Sequence, residues 1–327
     1  MRRRKPRDSV PGTALCDTMC PTRMSAPPAS TWTSPLAFCV LASGSAGNCT
    51  AVVVQDRSAE HVESSGARRA CFLIDAGLSP RRTARLLKPL GMTLADVTAL
   101  MLTHLDADHF YHGWVRFLAK RAAHGSPLRL HIHRRHRNAA WRGGLTAREV
   151  SLFEEQIDLP CDARAEPVLL AHDDLGSVGF VIEHAGHRLG FATDLGAVPR
   201  TMLKRFVNLH ALALESNYDR QMQEQSGRPV FLKRRIMGGM GHLSNEQAIE
   251  AVREIERRSR LSHIAPLHLS EECNCPRHVT RLWHREMPHA IKRLTITNQR
   301  EPTPLLQVLR PGLQVEVKQQ FLFQTAC

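Results

Sequence analysis

No apolar stretch in this chain reaches the roughly 18 residues that a membrane-spanning helix needs, so a helical membrane protein is excluded. The nine cysteines show no paired framework with regular spacing, which argues against a disulfide scaffold. Cys16/Cys20 and Cys273/Cys275 stand as isolated pairs and read as incidental thiols rather than metal sites. The arginines at the N-terminus lack the apolar core that follows them in a signal peptide. With 18 histidines present, these absences point to a reducing, cytoplasmic setting. Acidic residues are also short, 31 against 44 basic ones, for a net charge of +13. The first 35 residues hold six basic and two acidic residues, so the rest still carries +9. A basic body favours a polyanionic partner such as nucleic acid, through phosphate contacts and counterion release. A generally arginine-rich proteome is the alternative source of that excess.

What is present in concentrated form is one stretch, Leu102-Thr103-His104-Leu105-Asp106-Ala107-Asp108-His109. Four potential metal ligands fall within six residues there. An apolar strand pattern, Thr98 to Leu102, precedes them, and a helical pattern from Trp114 follows. A strand-to-helix turn can aim several short side chains at one point. Imidazoles and carboxylates together suit Zn²⁺, Mn²⁺ or Fe, and a mixed set can hold two ions. The bland alternative is a solvated acidic turn with capping aspartates.

Residues 1–35 are rich in Pro, Ser, Thr and Arg with little apolar periodicity and read as a disordered basic tail. The remainder, 36–327, reads as one domain. Phe38–Ala42 and Cys49–Val54 read as strands around the loop Ser43-Gly44-Ser45-Ala46-Gly47-Asn48. That loop is either a simple hairpin turn or a close-approach loop with donors for phosphate oxygens. Gln55 to Arg69 reads as an exposed loop, and Cys71–Ile74 as a strand ending at Asp75. Pro80–Lys88 reads as a helix whose Arg81, Arg82 and Arg85 face water or phosphate. Leu128–His133 alternates like a strand, and Arg134, Arg135 and Arg137 beyond it read as a solvated helix face, with direct nucleic-acid contact as the alternative. Further strands are expected at Val178–His184, Arg188–Thr193, Ala211–Leu214, Ile264–Leu267 and Ile291–Thr297. Helices are expected at Glu246–Arg258, capped by Ser244, and at Pro276–Met287. Strands end repeatedly in His or Asp: Asp75, His104, His172, Asp194 and His268. Strand ends lining one rim would gather these groups, and the strand-helix alternation supports an α/β layered architecture.

These residues, in this order, resemble the metallo-β-lactamase-fold hydrolases, over about residues 36 to 300. The family's H-x-H-x-D-H motif aligns with His104-Leu105-Asp106-Ala107-Asp108-His109. Its earlier Asp aligns with Asp75, its third His with His172, its bridging Asp with Asp194 and its last His with His268. The resemblance implies a four-layer αββα sandwich with a metal site at the sheet edges. Ala42–Asn48, Ile74–Leu78, Ala192–Gly196, Leu214–Asn217, Lys233–Ile236 and Gly241–Asn245 are similar to the YycJ/WalJ-like subgroup. That subgroup implies a DNA exonuclease acting from 5′ ends, without a large inserted cap domain.

The resemblance implies two divalent ions, Zn or Mn, or Fe. One would use His104, Asp106 and His172; the other would use Asp108, His109 and His268; Asp194 would bridge them. Asp75 would hold a ligand histidine in its tautomer. Asp108 would accept a proton from the attacking water, and His242 would protonate the leaving oxygen. Lys233, Arg234 and Arg235 would hold substrate phosphates, and Ser43, Ser45 and Asn48 would line the mouth of the site. Asp106 departs from the family, which has His there. A carboxylate is a harder ligand, lowers the Lewis acidity of its ion and favours Mn²⁺. Two other functions stay open: an RNA or small-molecule hydrolase of thioester or lactam type, and a nucleic-acid-binding module with a degenerate metal site.

Overall fold

The structure is a computed structural model that describes residues 32–56 and 69–310. The basic tail and the Cys16/Cys20 pair lie outside the described residues, except that Trp32 and Ser34 are buried. Most of the exposed loop expected between Gln55 and Arg69 also lies outside them.

Two sheets face each other. The first has seven strands in the order β13-β1-β2-β3-β4-β5-β6 and the second has six, β12-β11-β10-β9-β8-β7. In the first, β1 is Leu36–Ala42, β2 Cys49–Gln55, β3 Arg69–Ile74, β4 Val97–Met101, β5 Arg129–His133, β6 Val150–Phe153 and β13 Leu306–Gln307. In the second, β7 is Ile157–Leu159, β8 Ala163–Leu170, β9 Ser177–His184, β10 His187–Ala192, β11 Ala211–Glu215 and β12 His263–Leu267.

Side-chain alternation explains the layers. Along β1, Leu36, Phe38 and Val40 join the core between the sheets, while Cys39 and Leu41 join a second core under the helices. Both faces are covered, so the strand is buried throughout. Helices α1 (Pro80–Leu87), α2 (Gly113–Ala123) and α3 (Arg137–Arg142) come between strands of the first sheet. Helices α4 (Arg200–Arg205), α5 (Arg220–Gln225), α6 (Val230–Met237) and α7 (Asn245–Glu256) come between strands of the second, and α8 (Pro276–Glu286) follows β12. The expected four-layer αββα sandwich is what forms. Ser244 caps α7 as expected, in a capping box with Gln247. No helix among the described residues is long and apolar enough to cross a membrane.

The late strand expected over Ile291–Thr297 does not form. Residues 288–293 are 3₁₀-helical, and Leu294 makes only an isolated bridge to Ile264. Thr295 N–H donates to the Ile264 carbonyl, but two residues on β12 offers Pro266, which has no N–H to continue a ladder. The Thr297 hydroxyl donates to the Pro266 carbonyl instead. On α1, Arg82 does not reach toward substrate; its guanidinium donates to the Gln299 carbonyl at 2.6 Å.

Strand direction sets the position of everything functional. β3, β4, β5 and β6 are mutually parallel, and so are β10, β11 and β12. β8 runs with β10 because each is antiparallel to β9. The C-terminal ends of both sets meet at one rim, where Val178 N–H donates across to the Thr103 carbonyl at 2.9 Å.

Candidate metal centre

Asp75, Asp194 and His268 all follow strand ends, and all three have left-handed backbone (φ of 62°, 52° and 55°). Such angles are uncommon away from glycine. Here the chain leaves each strand in a tight turn that leaves its acid or imidazole at the rim. Gly77 allows the His104–His109 turn to close down on this rim, since a Cβ there would lie 1.8 Å from the Asp108 carbonyl oxygen.

Five imidazoles form a chain. Ring centroids are 4.1 Å apart for His104 and His109, 5.3 Å for His104 and His172, and 5.5 Å for His109 and His268. His242 lies 5.2 Å from both His172 and His268. All five rings have Nδ1 tied to a neighbouring group, His242 to Glu215 at 2.7 Å. His104 Nδ1 meets the Thr103 hydroxyl at 2.9 Å, and His109 Nδ1 donates to Asp75 Oδ2 at 2.7 Å. His172 Nδ1 donates to the Gly241 carbonyl at 3.0 Å, and His268 Nδ1 meets Asp194 and Glu215 at 3.0 and 3.2 Å. Each Nε2 then faces the shared centre, the usual way a ligand histidine is oriented.

Donor atoms converge in overlapping groups. His104, Asp106 and His172 form one, and Asp108, His109 and His268 another, with donor atoms within 4.8 Å of each other in each. Asp194 stands between them: Oδ2 is 2.9 Å from His109 Nε2, and Oδ1 is 4.0 Å from His172 Nε2. A neutral-imidazole and carboxylate set of this kind fits divalent ions such as Zn²⁺ or Mn²⁺.

A profile described as "Beta-lactamase superfamily domain" matches residues 71–264, more than half of the chain. The chain belongs to the beta-lactamase superfamily. The fold is that of its metallo-β-lactamase members. The metallo-β-lactamase fold protein YhfI from Bacillus subtilis superposes with a TM-score of 0.56 at 14% identity, covering 82% of this chain and 98% of its own. A diphosphatase of the PhnP family superposes at 0.55 and 15% identity, covering 83% of this chain and 98% of its own. These likenesses concern the fold alone. Among relatives by sequence, exodeoxyribonuclease YycJ of Bacillus anthracis is 28% identical over 242 residues, 73% of this chain and 84% of that protein. Exodeoxyribonuclease WalJ of Streptococcus pneumoniae is 27% identical over 239 residues, 72% of this chain and 82% of its own length. The similarity to the YycJ/WalJ-like subgroup is therefore found by direct comparison, and the superfamily implies a hydrolase that binds divalent metal.

Glu215 is the buried group of this superfamily site that sequence reasoning missed. It is fully buried at the end of β11 and accepts four hydrogen bonds: backbone N–H from Leu195 (3.0 Å) and Leu243 (3.1 Å), and Nδ1 of His242 (2.7 Å) and His268 (3.2 Å). The signal was available, because Glu215 closes an apolar strand run as Asp75 and Asp194 do. Thr103 was missed too; its N–H and hydroxyl both donate to Asp75 Oδ1 at 2.9 Å.

Three residues expected to contact substrate are engaged within the protein. Ser43 and Asn48 are buried. The Ser43 hydroxyl accepts from His268 N–H at 2.7 Å and donates to Asn48 Oδ1 at 3.2 Å. Asn48 Nδ2 lies 3.0 Å from His109 Nε2 and 3.3 Å from the Asp108 carbonyl. Both residues are buried struts of the ligand turns, whereas Ser45 is exposed. Lys233 donates to the Glu224 carbonyl at 2.7 Å, toward α5. Arg235, two residues on and therefore on another face of α6, pairs with Asp173 beside His172. Arg234 is exposed.

Burial and charge oppose each other across the site. Burial works against charge on His109 and His268, but the surrounding carboxylates together outweigh it (Asp194, Asp75 and Asp108 at His109; Asp194, Asp108 and Glu215 at His268) and hold both pKa values well above the usual range. Asp194 and Glu215 are pushed up by burial and more than offset by the histidines, so both stay low. Burial, reinforced by His109, keeps His104 well below the ordinary histidine value. Burial raises Asp106 despite His172 nearby. Cations binding at the Nε2 atoms compete with these protons, so metal affinity is expected to rise with pH.

Proposed function

We propose that this chain is a metal-dependent phosphodiesterase that digests DNA from 5′ ends. The observation that carries the reading is the convergence of His104, Asp106 and His172 with Asp108, His109 and His268 around Asp194. The exodeoxyribonuclease names of relatives spanning about 72–73% of the chain support the substrate. So does the net charge of +13.

Two divalent ions held by these residues, when bound, lower the pKa of water and neutralise charge at the phosphate. The protein's own groups do the rest. Asp75 fixes the tautomer and tilt of His109 through its 2.7 Å bond. Asp108, with its carboxylate a quarter exposed, receives a proton from the attacking water. Glu215 meets His242 Nδ1 at 2.7 Å and raises its pKa against burial, which suits His242 to donate a proton to the leaving oxygen. Arg235 offsets Asp173 and leaves the mouth less repulsive to a phosphate.

The test is digestion of 5′- and 3′-labelled DNA by the purified chain with added Mn²⁺ or Zn²⁺, alongside metal analysis. Mononucleotide release from the 5′ end is expected. No hydrolysis of DNA, with turnover of RNA, a thioester or a lactam, would replace this substrate by another. A chain that holds metal poorly and hydrolyses none of them would return the binding-module reading.

Asp106 gives a separate prediction. Its side chain is 59% exposed and 3.8 Å from His104 Nε2, so a histidine there has room. Asp106→His is expected to keep Zn²⁺-supported turnover or raise it by up to about tenfold, since imidazole withdraws less Lewis acidity than carboxylate. Loss of folding in that variant, followed by circular dichroism, would assign Asp106 a structural role instead.

A further inference from the structure

The arginine cluster after β5, for which the sequence leaves nucleic-acid contact open, is placed by the fold beside the metal site. Between Gly125 and Arg148 the chain carries six arginines and no acidic residue. β5 lies parallel beside β4, and Leu102 N–H donates to the His131 carbonyl at 3.0 Å. The residues that follow β5 therefore emerge on the same rim as His104. Arg134, Arg135, Arg137 and Arg142 are all exposed there.

Arg135 connects this cluster to the metal site. Its Nη1 donates to the Leu175 carbonyl at 3.0 Å. Leu175 lies in the turn that starts at His172, closed by Gly176 N–H on the His172 carbonyl at 2.6 Å. A Cβ on Gly176 would come 2.8 Å from Arg135 Nη1, so glycine is what lets the guanidinium lie against the turn. A neutral carbonyl partner leaves the Arg135 charge uncompensated. Within the same turn, Arg235 neutralises Asp173. Leu175, 46% exposed, offers an apolar surface next to Arg135. Beyond Arg135, the Arg137 guanidinium lies 5.9 Å from the Trp141 ring centroid. Arg134 pairs with Glu154, but both are more than half exposed, and an exposed pair of this kind is readily exchanged for a phosphate.

We propose that Arg134, Arg135 and Arg137 hold the phosphates of single-stranded DNA beyond the scissile bond, with the 172–176 turn as the bridge from the metal site. This rests on the phosphodiesterase reading above and adds where the rest of the strand goes. A small ester would end at the metal site; only a polymer reaches past Leu175.

The test compares the metal-loaded wild type with the triple variant Arg134→Gln, Arg135→Gln, Arg137→Gln. Binding of a phosphorothioate 20-mer is measured by anisotropy across salt concentrations, and turnover is measured on DNA and on bis(p-nitrophenyl) phosphate. The variant is expected to bind the 20-mer about tenfold more weakly or worse, with a salt slope lower by about 2, as three lost single-strand phosphate contacts require. KM for DNA rises, kcat does not, and the small ester is hydrolysed as before. Equal affinity and equal slope, while the wild type digests DNA, would overturn the track and leave the nuclease reading standing. Equal losses on DNA and the small ester would also overturn it, by showing that the arginines support the site's structure. A wild type that hydrolyses the small ester and neither binds nor cuts DNA would remove the nuclease reading itself.

Discussion

Replacing Asp194 by alanine should cost at least about 10³-fold in kcat, because it removes the one carboxylate that both halves of the site share. Asp194 is 2% exposed, and its two oxygens face different partners. Oδ2 is 2.9 Å from His109, while Oδ1 is 3.0 Å from His268 and 3.3 Å from His242. Alanine would leave these imidazoles without their anion, so bound metal should fall together with turnover. Its φ of 52° is also unfavourable for alanine. Asp194→Asn is the control, since asparagine tolerates that backbone and keeps the shape while removing the charge. Both variants are to be checked by labelled-DNA digestion, metal analysis and circular dichroism. Near-normal rates in a folded Asp194→Asn protein would take away the bridging role.

Glu215 should show the second large effect, on stability as much as on rate. Four donors end on this buried carboxylate, so Glu215→Ala strands two backbone N–H groups and two imidazoles at once. Breaking a buried pair of this type costs about 3–5 kcal/mol. At about 2–4 °C per kcal/mol, a fall in Tm of roughly 10 °C is expected. Glu215→Gln keeps the shape and should fold, but it presents an amide to donors that need an acceptor. His242 then loses its orientation, and kcat should fall about 10²-fold with little change in KM, since Glu215 itself touches no substrate. Thermal melts and steady-state kinetics on the same preparations separate the two effects. A Glu215→Gln variant with wild-type kcat would reduce Glu215 to a folding element.

The identities of the site residues were legible in the sequence because their chemistry is local. A run such as His104-Leu105-Asp106-Ala107-Asp108-His109 after an apolar strand has few uses, and each distant partner, Asp75, His172, Asp194 and His268, also sits at a strand end. Parallel strands then bring those ends to a common rim, so order along the chain was enough to name the group. The strand expected at Ile291–Thr297 failed for a cause outside the segment itself: Pro266 on the neighbouring strand cannot donate.

Which side chains face the centre and which stand behind it was decided only by tertiary structure. Ser43 and Asn48 looked like donors for a substrate, yet packing turned them inward to hold His268 and the Asp108–His109 turn. Arg82, Lys233 and Arg235 are alike on paper; one holds the Gln299 carbonyl, one a carbonyl next to α5, and one reaches the mouth of the site. For the Arg134–Arg137 cluster the sequence leaves a solvated face and a nucleic-acid contact both open; the pairing of β5 with β4 is what sets the cluster at the rim of the metal site. Composition and periodicity report what a residue can do and whether it is buried. The direction of a side chain and its partner depend on which strands become neighbours, and that depends on contacts between segments far apart in the chain.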